Sequence, residues 1–120
     1  MTIVAKNLNT PDEKLEFPNG DGNVVKVEEL TVGRGRLAPG WRWTNDVAPL
    51  VGAPSCQLPH VGTMLAGTLH VEMDDGTSVE LHEGDVYVIS PGHDAWVVGD
   101  DEVRTLEWSG TADRFITPVG

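Results

Sequence analysis

Hydrophobic and polar residues alternate with a period of two along much of the chain, which is the pattern of β-strands with one buried face. In "TLHVEMDDG", Leu69, Val71 and Met73 share one face, while the polar residues between them share the other. "MDDGTSVEL" continues the pattern across Asp75 and Gly76, a dipeptide typical of tight hairpin turns. This stretch therefore predicts a β-hairpin with one apolar face.

The rest of the chain indicates further short strands. "VYVIS" is an almost continuous apolar run of the kind that is buried on both faces. "AWVVGDDEVRTLEW" provides two more strands, and "NVVKVEELTVGRGRLAPG" supplies one or two before them. Fourteen glycines and eight prolines keep the elements short, and "TPDEKLEF" would form at most one helical turn. We expect one all-β domain, either a sandwich or a barrel.

The length and composition narrow the class of protein further. A chain of 120 residues suits a single domain that can bury a core. No apolar run approaches the roughly 20 residues that a membrane-spanning helix needs, and the first residues lack the features of a secretory signal. The single cysteine, Cys56, cannot form an internal disulfide, so nothing demands an oxidising compartment. We expect a cytoplasmic protein.

The charge balance is strongly acidic and limits the range of partners. Acidic residues outnumber basic ones 19 to 8, which gives a formal net charge of -11. Such a surface repels nucleic acid and anionic membranes, so we expect neither as a partner. An anionic substrate would need local cationic groups. The arginines available for this are Arg34, Arg36, Arg42, Arg104 and Arg114.

The second half of the chain resembles the cupin family. "LHEGD" followed by "GDVYVISPGHDAW" is similar to the family's Gly-Asp turn, hydrophobic strand, Pro/Gly turn and histidine. The resemblance covers roughly residues 27–108 and implies a jelly-roll β-barrel. It divides the chain into an N-terminal arm (1–26), a barrel core (27–108) and a C-terminal tail (109–120). It is closest to small stand-alone bacterial cupins.

The cupin metal-ligand motif is altered in its first half. In the family, two histidines one residue apart are followed by a glutamate, with a glycine seven residues after the glutamate. Counting back from Gly67 places His60 at the glutamate position and Cys56 at the second histidine, while Pro54 stands at the first. Imidazole and thiolate are good ligands for zinc, iron, copper or nickel. The resemblance therefore implies a changed ligand set.

The second half of the motif is also shifted. The family's histidine position is occupied by Ala95, whereas His93 lies two residues earlier, directly after Gly92. On a strand this shift keeps the same face but moves the side chain by about 7 Å. We expect His93 to be a turn residue near the mouth of the barrel. If the "SPGHD" turn aims it inward, it is instead a third metal ligand or an acid/base.

The spacing of Cys56 and His60 needs a turn between them if they are to share a metal. Four residues of extended strand would separate them by about 13 Å. Pro59 favours a turn, because proline is unwelcome inside a paired strand. The alternative is that Cys56 is a small buried hydrophobe and His60 a core histidine. His70 and His82 lie on polar strand faces and are expected to face solvent.

Aromatic residues predict a pocket for a flat organic molecule. Trp41 and Trp43 alternate onto one face in "PGWRW". Ligand pockets are mostly apolar, with a few polar groups such as an indole N–H that orient the guest. The residues expected to line this pocket are Trp43, Met64, Tyr87 and Trp96.

Three functional hypotheses remain open from the sequence. The first is a metal-dependent isomerase, lyase or oxygenase acting on a small organic substrate, with Cys56, His60 and His93 as metal ligands and the two histidines as catalytic groups. The second is a metal-free module that binds or senses a small organic molecule. The third is a barrel filled by its own side chains. We also expect a homodimer, because short barrels expose strand edges that a second copy can cover.

Overall fold

The computed structural model describes residues 3–109 and shows nine β-strands and two short helices in this range. The strands are β1 (Glu13–Phe17), β2 (Gly20–Val27), β3 (Leu30–Leu37), β4 (His60–Ala66), β5 (Leu69–Met73), β6 (Ser78–Leu81), β7 (Val86–Ile89), β8 (His93–Val97) and β9 (Val103–Ser109). The helices are α1 (Trp43–Asp46) and α2 (Ala48–Val51), each a single turn. The prediction of an all-β domain is confirmed.

The strands form two antiparallel sheets that enclose the core. The larger sheet has the order β1-β2-β3-β9-β4-β7, and the smaller has the order β6-β5-β8. Side chains from both sheets meet in one hydrophobic cluster that includes Met64, Val71, Tyr87 and Val103. The alternation seen in the sequence is reproduced in β5, where Leu69 and Val71 are buried. The predicted hairpin is present as the pairing of β5 with β6.

In two segments the observed secondary structure differs from the one predicted from the sequence. The stretch "TPDEKLEF", assigned at most a helical turn, instead provides β1, which pairs with β2. Lys14 and Glu16 alternate with Leu15 and Phe17, which contribute to a cavity lining, so the pattern is that of a strand. The arm expected over residues 1–26 therefore contains β1 and most of β2, whereas residues 110–120 of the expected tail lie outside the described residues.

The segment after β3 is helical where an extended pair of tryptophans was expected. Trp43 begins α1, and the following Ala48–Val51 turn has a proline near its start, where a missing N–H is tolerated. Trp41 and Trp43 are nevertheless both buried.

Within residues 3–109, no helix is long and apolar enough to cross a membrane. The homodimer stays a prediction.

Candidate metal centre and cavity

Cys56 and His93 are held side by side through their backbones. The two residues form an isolated antiparallel bridge in which the Cys56 N–H donates to the His93 carbonyl oxygen at 2.7 Å. In return, the N–H groups of Gly92 and His93 donate to the Cys56 carbonyl oxygen. Gly92 has φ +92°, in the left-handed region that favours glycine, and so makes the turn that starts β8. His93 is thus the first residue of a strand and is buried, not a surface turn residue.

His60 completes a three-residue cluster with Cys56 and His93. Residues 57–59 connect Cys56 to β4, and His60 begins that strand with its Nε2 only 3.6 Å from the Cys56 Sγ atom. The His60 and His93 rings lie edge to face, with centroids 5.1 Å apart. One ligand atom from each of the three residues lies within 4.8 Å of the other two. The two side chains come together as a shared metal would require, but the connecting residues 57–59 form an irregular segment and not a hairpin.

Each histidine is oriented by a partner that only accepts hydrogen bonds. The His60 Nδ1–H donates to the Glu107 carboxylate at 2.8 Å, and the His93 Nδ1–H donates to the Ser90 carbonyl oxygen at 2.9 Å. A carboxylate or a carbonyl oxygen accepts hydrogen bonds, so the proton lies on Nδ1 in both rings. This arrangement turns the Nε2 atom toward Cys56 in His60. A metal-binding histidine commonly uses this same outer support.

Electrostatics favour the thiolate form of Cys56. Burial by itself would raise the pKa of the thiol, but hydrogen bonds from His60 and His93 outweigh burial and lower the pKa to about 6. Burial would lower the pKa of His60, yet its contacts with Cys56 and Glu107 raise it to about 10. The pKa of His93 is also raised despite burial, because it contacts Cys56 and the Ser90 carbonyl group. Both shifts favour a thiolate–imidazolium pair of Cys56 and His60 when no metal is bound.

Glu107 is the functional residue that the sequence interpretation missed. Its second carboxylate oxygen accepts a hydrogen bond from the Tyr87 hydroxyl at 2.7 Å. Burial and the Glu107 charge together raise the pKa of Tyr87, which keeps its hydroxyl protonated and able to donate. A signal was present in "VRTLEW": the period of two places Glu107 on the same face as Val103 and Thr105, both of which are buried. An acid on a buried strand face requires a partner.

The cluster lies on the wall of a cavity of about 460 Å³ between the two sheets. This volume is within the range of small-molecule sites. Trp43 and Tyr87 line it as the sequence suggested, together with Cys56 and both cluster histidines. The remaining side chains around it are mostly aliphatic or aromatic, so water inside would find few partners.

Two residues expected in the pocket lie elsewhere. Met64 is fully buried in the core, and Trp96 faces away from the cavity on β8, between the inward-facing Ala95 and Val97. The Trp96 ring stacks on the His70 ring, with centroids 4.4 Å apart. The Arg42 guanidinium also lies over the Trp96 ring, with its Cζ atom 4.4 Å from the ring centroid. Trp96 therefore covers the outer face of the smaller sheet. His70 is half-buried beneath it, and not freely exposed as expected.

Three glycines form part of the cavity wall. The inward-facing positions of β2 and β3 include Gly22, Gly33 and Gly35, all of which line the cavity. A Cβ atom at Gly33 would meet only the Val24 Cγ2 atom, at 3.9 Å. The sequence "VGRGR" thus alternates glycines toward the cavity with arginines away from it.

The arginines considered as anion partners are engaged on the outer surface. Arg34 lies opposite Leu106 in the sheet, so its side chain points to the face opposite that of the neighbouring Gly33 and Glu107 pair. Its Nη2 donates a hydrogen bond to the Asn9 side chain. Arg36 and Arg104 form ion pairs with acidic neighbours. Arg42 pairs with Asp94, whereas Arg114 lies outside the described residues. His82 is exposed, as expected, beside Glu80.

The donor set of the cluster fits a transition metal. Metal–sulfur bonds of about 2.3 Å and metal–nitrogen bonds of about 2.0 Å place two ligand atoms of a tetrahedral ion about 3.4 to 3.6 Å apart. The distance of 3.6 Å between the Cys56 Sγ and His60 Nε2 atoms is of this size. One thiolate and two imidazoles suit zinc, copper, iron or nickel, and three protein ligands leave an open position on the metal.

The fold is shared with solved cupin structures. No protein-family model matches the chain, and no curated protein sequence matches it. The structure resembles a cupin-superfamily sugar phosphate isomerase from Silicibacter pomeroyi (TM-score 0.61, 15% identity, 88% of this chain and 74% of that chain). It also resembles a cupin-like protein from Thermotoga maritima (0.55, 16%, 81% and 73%). A third is an uncharacterized conserved protein with a double-stranded β-helix domain from Klebsiella pneumoniae (0.56, 16%, 78% and 73%). At these identities the likeness shows the fold, and the chain has the cupin fold that its sequence predicted.

Proposed function

We propose that Cys56, His60 and His93 bind one divalent transition metal and that the protein is a metal-dependent enzyme acting on a small organic molecule in the cavity. The observation that carries the proposal is the convergence of one sulfur and two nitrogen ligand atoms within 4.8 Å of one another. All three residues also line the cavity, so a ligand there would lie beside the metal. Zinc, iron, copper and nickel are the candidate ions.

The residues of the chain would prepare this site in distinct ways. When bound, the metal would supply Lewis acidity or activate water or dioxygen for an isomerase, lyase or oxygenase reaction. Glu107 and the Ser90 carbonyl group hold the two imidazole rings through their Nδ1 protons. The apolar walls limit entry of water, which strengthens electrostatic interactions inside the cavity.

A second candidate function is metal-free binding of a small organic molecule. It is favoured by the thiolate–imidazolium pair, since Cys56 and His60 can satisfy each other without a metal. In this case the cluster would contribute hydrogen bonds to the ligand and would catalyse nothing. The two candidates share the cavity but differ in whether the cluster takes up a metal.

Elemental analysis distinguishes the two candidates. The full chain is purified without chelator, reconstituted separately with zinc, iron, copper and nickel, and desalted. We expect about one equivalent of metal per chain in the wild type, almost none in His60→Ala, and full occupancy in His82→Ala, whose side chain is exposed. Absence of bound metal in the wild type with every ion would overturn the enzyme proposal and leave the metal-free one.

A further inference from the structure

β7 is the last strand of the larger sheet, and no strand of residues 3–109 pairs with its outer edge. Its inner edge pairs antiparallel with β4. In the register of this pairing, the Met64 N–H donates to the Asp85 carbonyl oxygen at 2.9 Å. Hydrogen-bonded and non-hydrogen-bonded pairs alternate along an antiparallel ladder, so the N–H and C=O groups of Val86 and Val88 point away from β4. Four backbone donors and acceptors therefore face the outer edge of the sheet.

The side chains next to this edge are apolar and exposed. Val86 is 71% exposed and Val88 is 78% exposed. Val61 of β4 lies directly opposite Val88 and shares its outer face. Tyr87 and Ile89 alternate with the two valines and line the cavity. Single exposed apolar residues are normal, but adjoining ones on an unpaired strand edge are typical of an interaction site.

The opposite edge of the same sheet has a different character. That edge is β1, in which Lys14 and Glu16 alternate with Leu15 and Phe17. Charged side chains on an edge strand disfavour pairing with another chain. β7 has the sequence Val-Tyr-Val-Ile and carries no charge. Of the two edges of this sheet, β7 is therefore the one that accepts an added strand.

The charge of the protein favours β7 of a second copy as that strand. With a formal net charge of -11, two copies repel each other over most of their surfaces, and an uncharged edge is where they can approach. A basic partner would find no acid on β7 to pair with. Antiparallel pairing with Val86 opposite Val88 of the second copy would bond all four edge groups around a two-fold axis. It would also hold the two Asp85 residues about 13 Å apart along the strand, where salt screens their repulsion.

We propose that β7 pairs with β7 of a second copy, which forms a homodimer with a sheet that is continuous across both chains. Across the joint, Val88 of each copy packs between its own Val61 and Val86 of the other copy, as β-branched neighbours do on paired strands. Tyr87 and Ile89 still face the cavity, so each copy keeps its own site. The joint is short, so we expect a dissociation constant in the micromolar range. The inference does not depend on the proposed function.

Sedimentation equilibrium of the full chain over a range of concentrations tests the dimer. We expect a monomer–dimer equilibrium in the wild type, with dimerisation at least about 10-fold weaker in Val88→Lys. The reason is that the substitution occurs twice in the symmetric joint and adds a charge to the edge strand. Val51→Lys is the matched control, because Val51 is also exposed but lies in α2, outside both sheets. It should dimerise as the wild type does.

Several results would overturn this proposal. A wild type that is monomeric at every concentration would leave the edge to another occupant, such as residues 110–120. Unchanged dimerisation in Val88→Lys, or an equal loss in Val51→Lys, would place the interface elsewhere. Circular dichroism of both variants confirms that they remain folded, which is expected because both side chains are exposed in the wild type.

Amide hydrogen exchange tests the pairing without any substitution. At concentrations where the dimer dominates, the N–H groups of Val86 and Val88 should exchange at least about 10-fold more slowly than after dilution to monomer. The Tyr87 N–H points to β4 and should be protected at both concentrations, which makes it the internal control. Exchange of Val86 and Val88 that is independent of concentration would contradict the proposed joint.

Discussion

The His60 Nδ1–H donates to Glu107 at 2.8 Å, which joins the start of β4 to the middle of β9 through their side chains. The two strands are hydrogen-bonded neighbours, with Gly62 opposite Glu107, so the sheet itself sets this distance. The carboxylate is fixed a second time by the Tyr87 hydroxyl. The imidazole that points at Cys56 is therefore held by a rigid part of the fold.

The role of Glu107 can be tested by Glu107→Gln. The amide keeps the size of the side chain but loses the charge, so it supports the His60 ring less well. We expect metal affinity to fall about 10- to 100-fold, the usual effect of removing such outer support. The measurement is a metal titration in competition with a chromophoric chelator. Tyr87→Phe is the control, because it leaves the His60–Glu107 bond in place, and an equal loss in both variants would contradict the assigned role.

The contrast between two glycines tests the packing. A Cβ atom at Gly62 would clash with the Leu106 carbonyl oxygen, whereas one at Gly33 would meet nothing closer than 3.9 Å. We expect Gly62→Ala to lower the free energy of unfolding by about 1–3 kcal/mol and Gly33→Ala to change it by less than about 0.5 kcal/mol. Chemical denaturation of both variants provides the comparison. Equal stability of the two would contradict the described contact of β4 with β9.

Asp94 gives a prediction for pH. Burial would raise the pKa of its carboxyl group, but hydrogen bonds from Thr44 and Arg42 outweigh burial and lower it. A lowered pKa in the folded state stabilises the protein above the ordinary pKa of 3.8, and this stability is lost as the pH falls through the lowered value. We expect Asp94→Asn to cost about 1–2 kcal/mol at neutral pH and progressively less as the pH falls below 3.8.

The measurement for Asp94 is the difference in unfolding free energy between wild type and Asp94→Asn at several pH values. The difference should shrink as the pH falls, since protonation removes the charge from the wild type as well. A difference that does not shrink anywhere below pH 3.8 while the protein stays folded would contradict the stabilising role of the carboxylate charge.

The period of two and the Gly/Asp turns sufficed to predict one all-β domain, because they report burial and chain reversal locally. The cupin barrel was implied by the resemblance of "GDVYVISPGHDAW" to the family motif. His93, which was expected in a turn, instead begins β8 and shares the buried face of that strand with Ala95. Short segments were harder, since "TPDEKLEF" has charged residues that suit either a helical turn or an edge strand. The segment forms a strand and not a helical turn because it pairs with β2.

The candidate site was only partly visible in the sequence. Cys56 and His60 could be linked through Pro59, because their separation is local. The inward direction of His93 depends on its backbone bridge to Cys56, which is 37 residues away and leaves no local pattern. The prediction that Trp96 lines the pocket was wrong, because the sequence alone does not show which face of β8 points toward the cavity.

Cobalt titration of the metal-free protein tests the metal centre most directly, because a cobalt–thiolate bond produces an intense near-ultraviolet absorption. We expect saturation at one equivalent with this absorption in the wild type and in His82→Ala, its loss in Cys56→Ser, and greatly weakened binding in His60→Ala. No saturable binding by the wild type, or an absorption that survives in Cys56→Ser, would contradict a metal site formed by Cys56, His60 and His93.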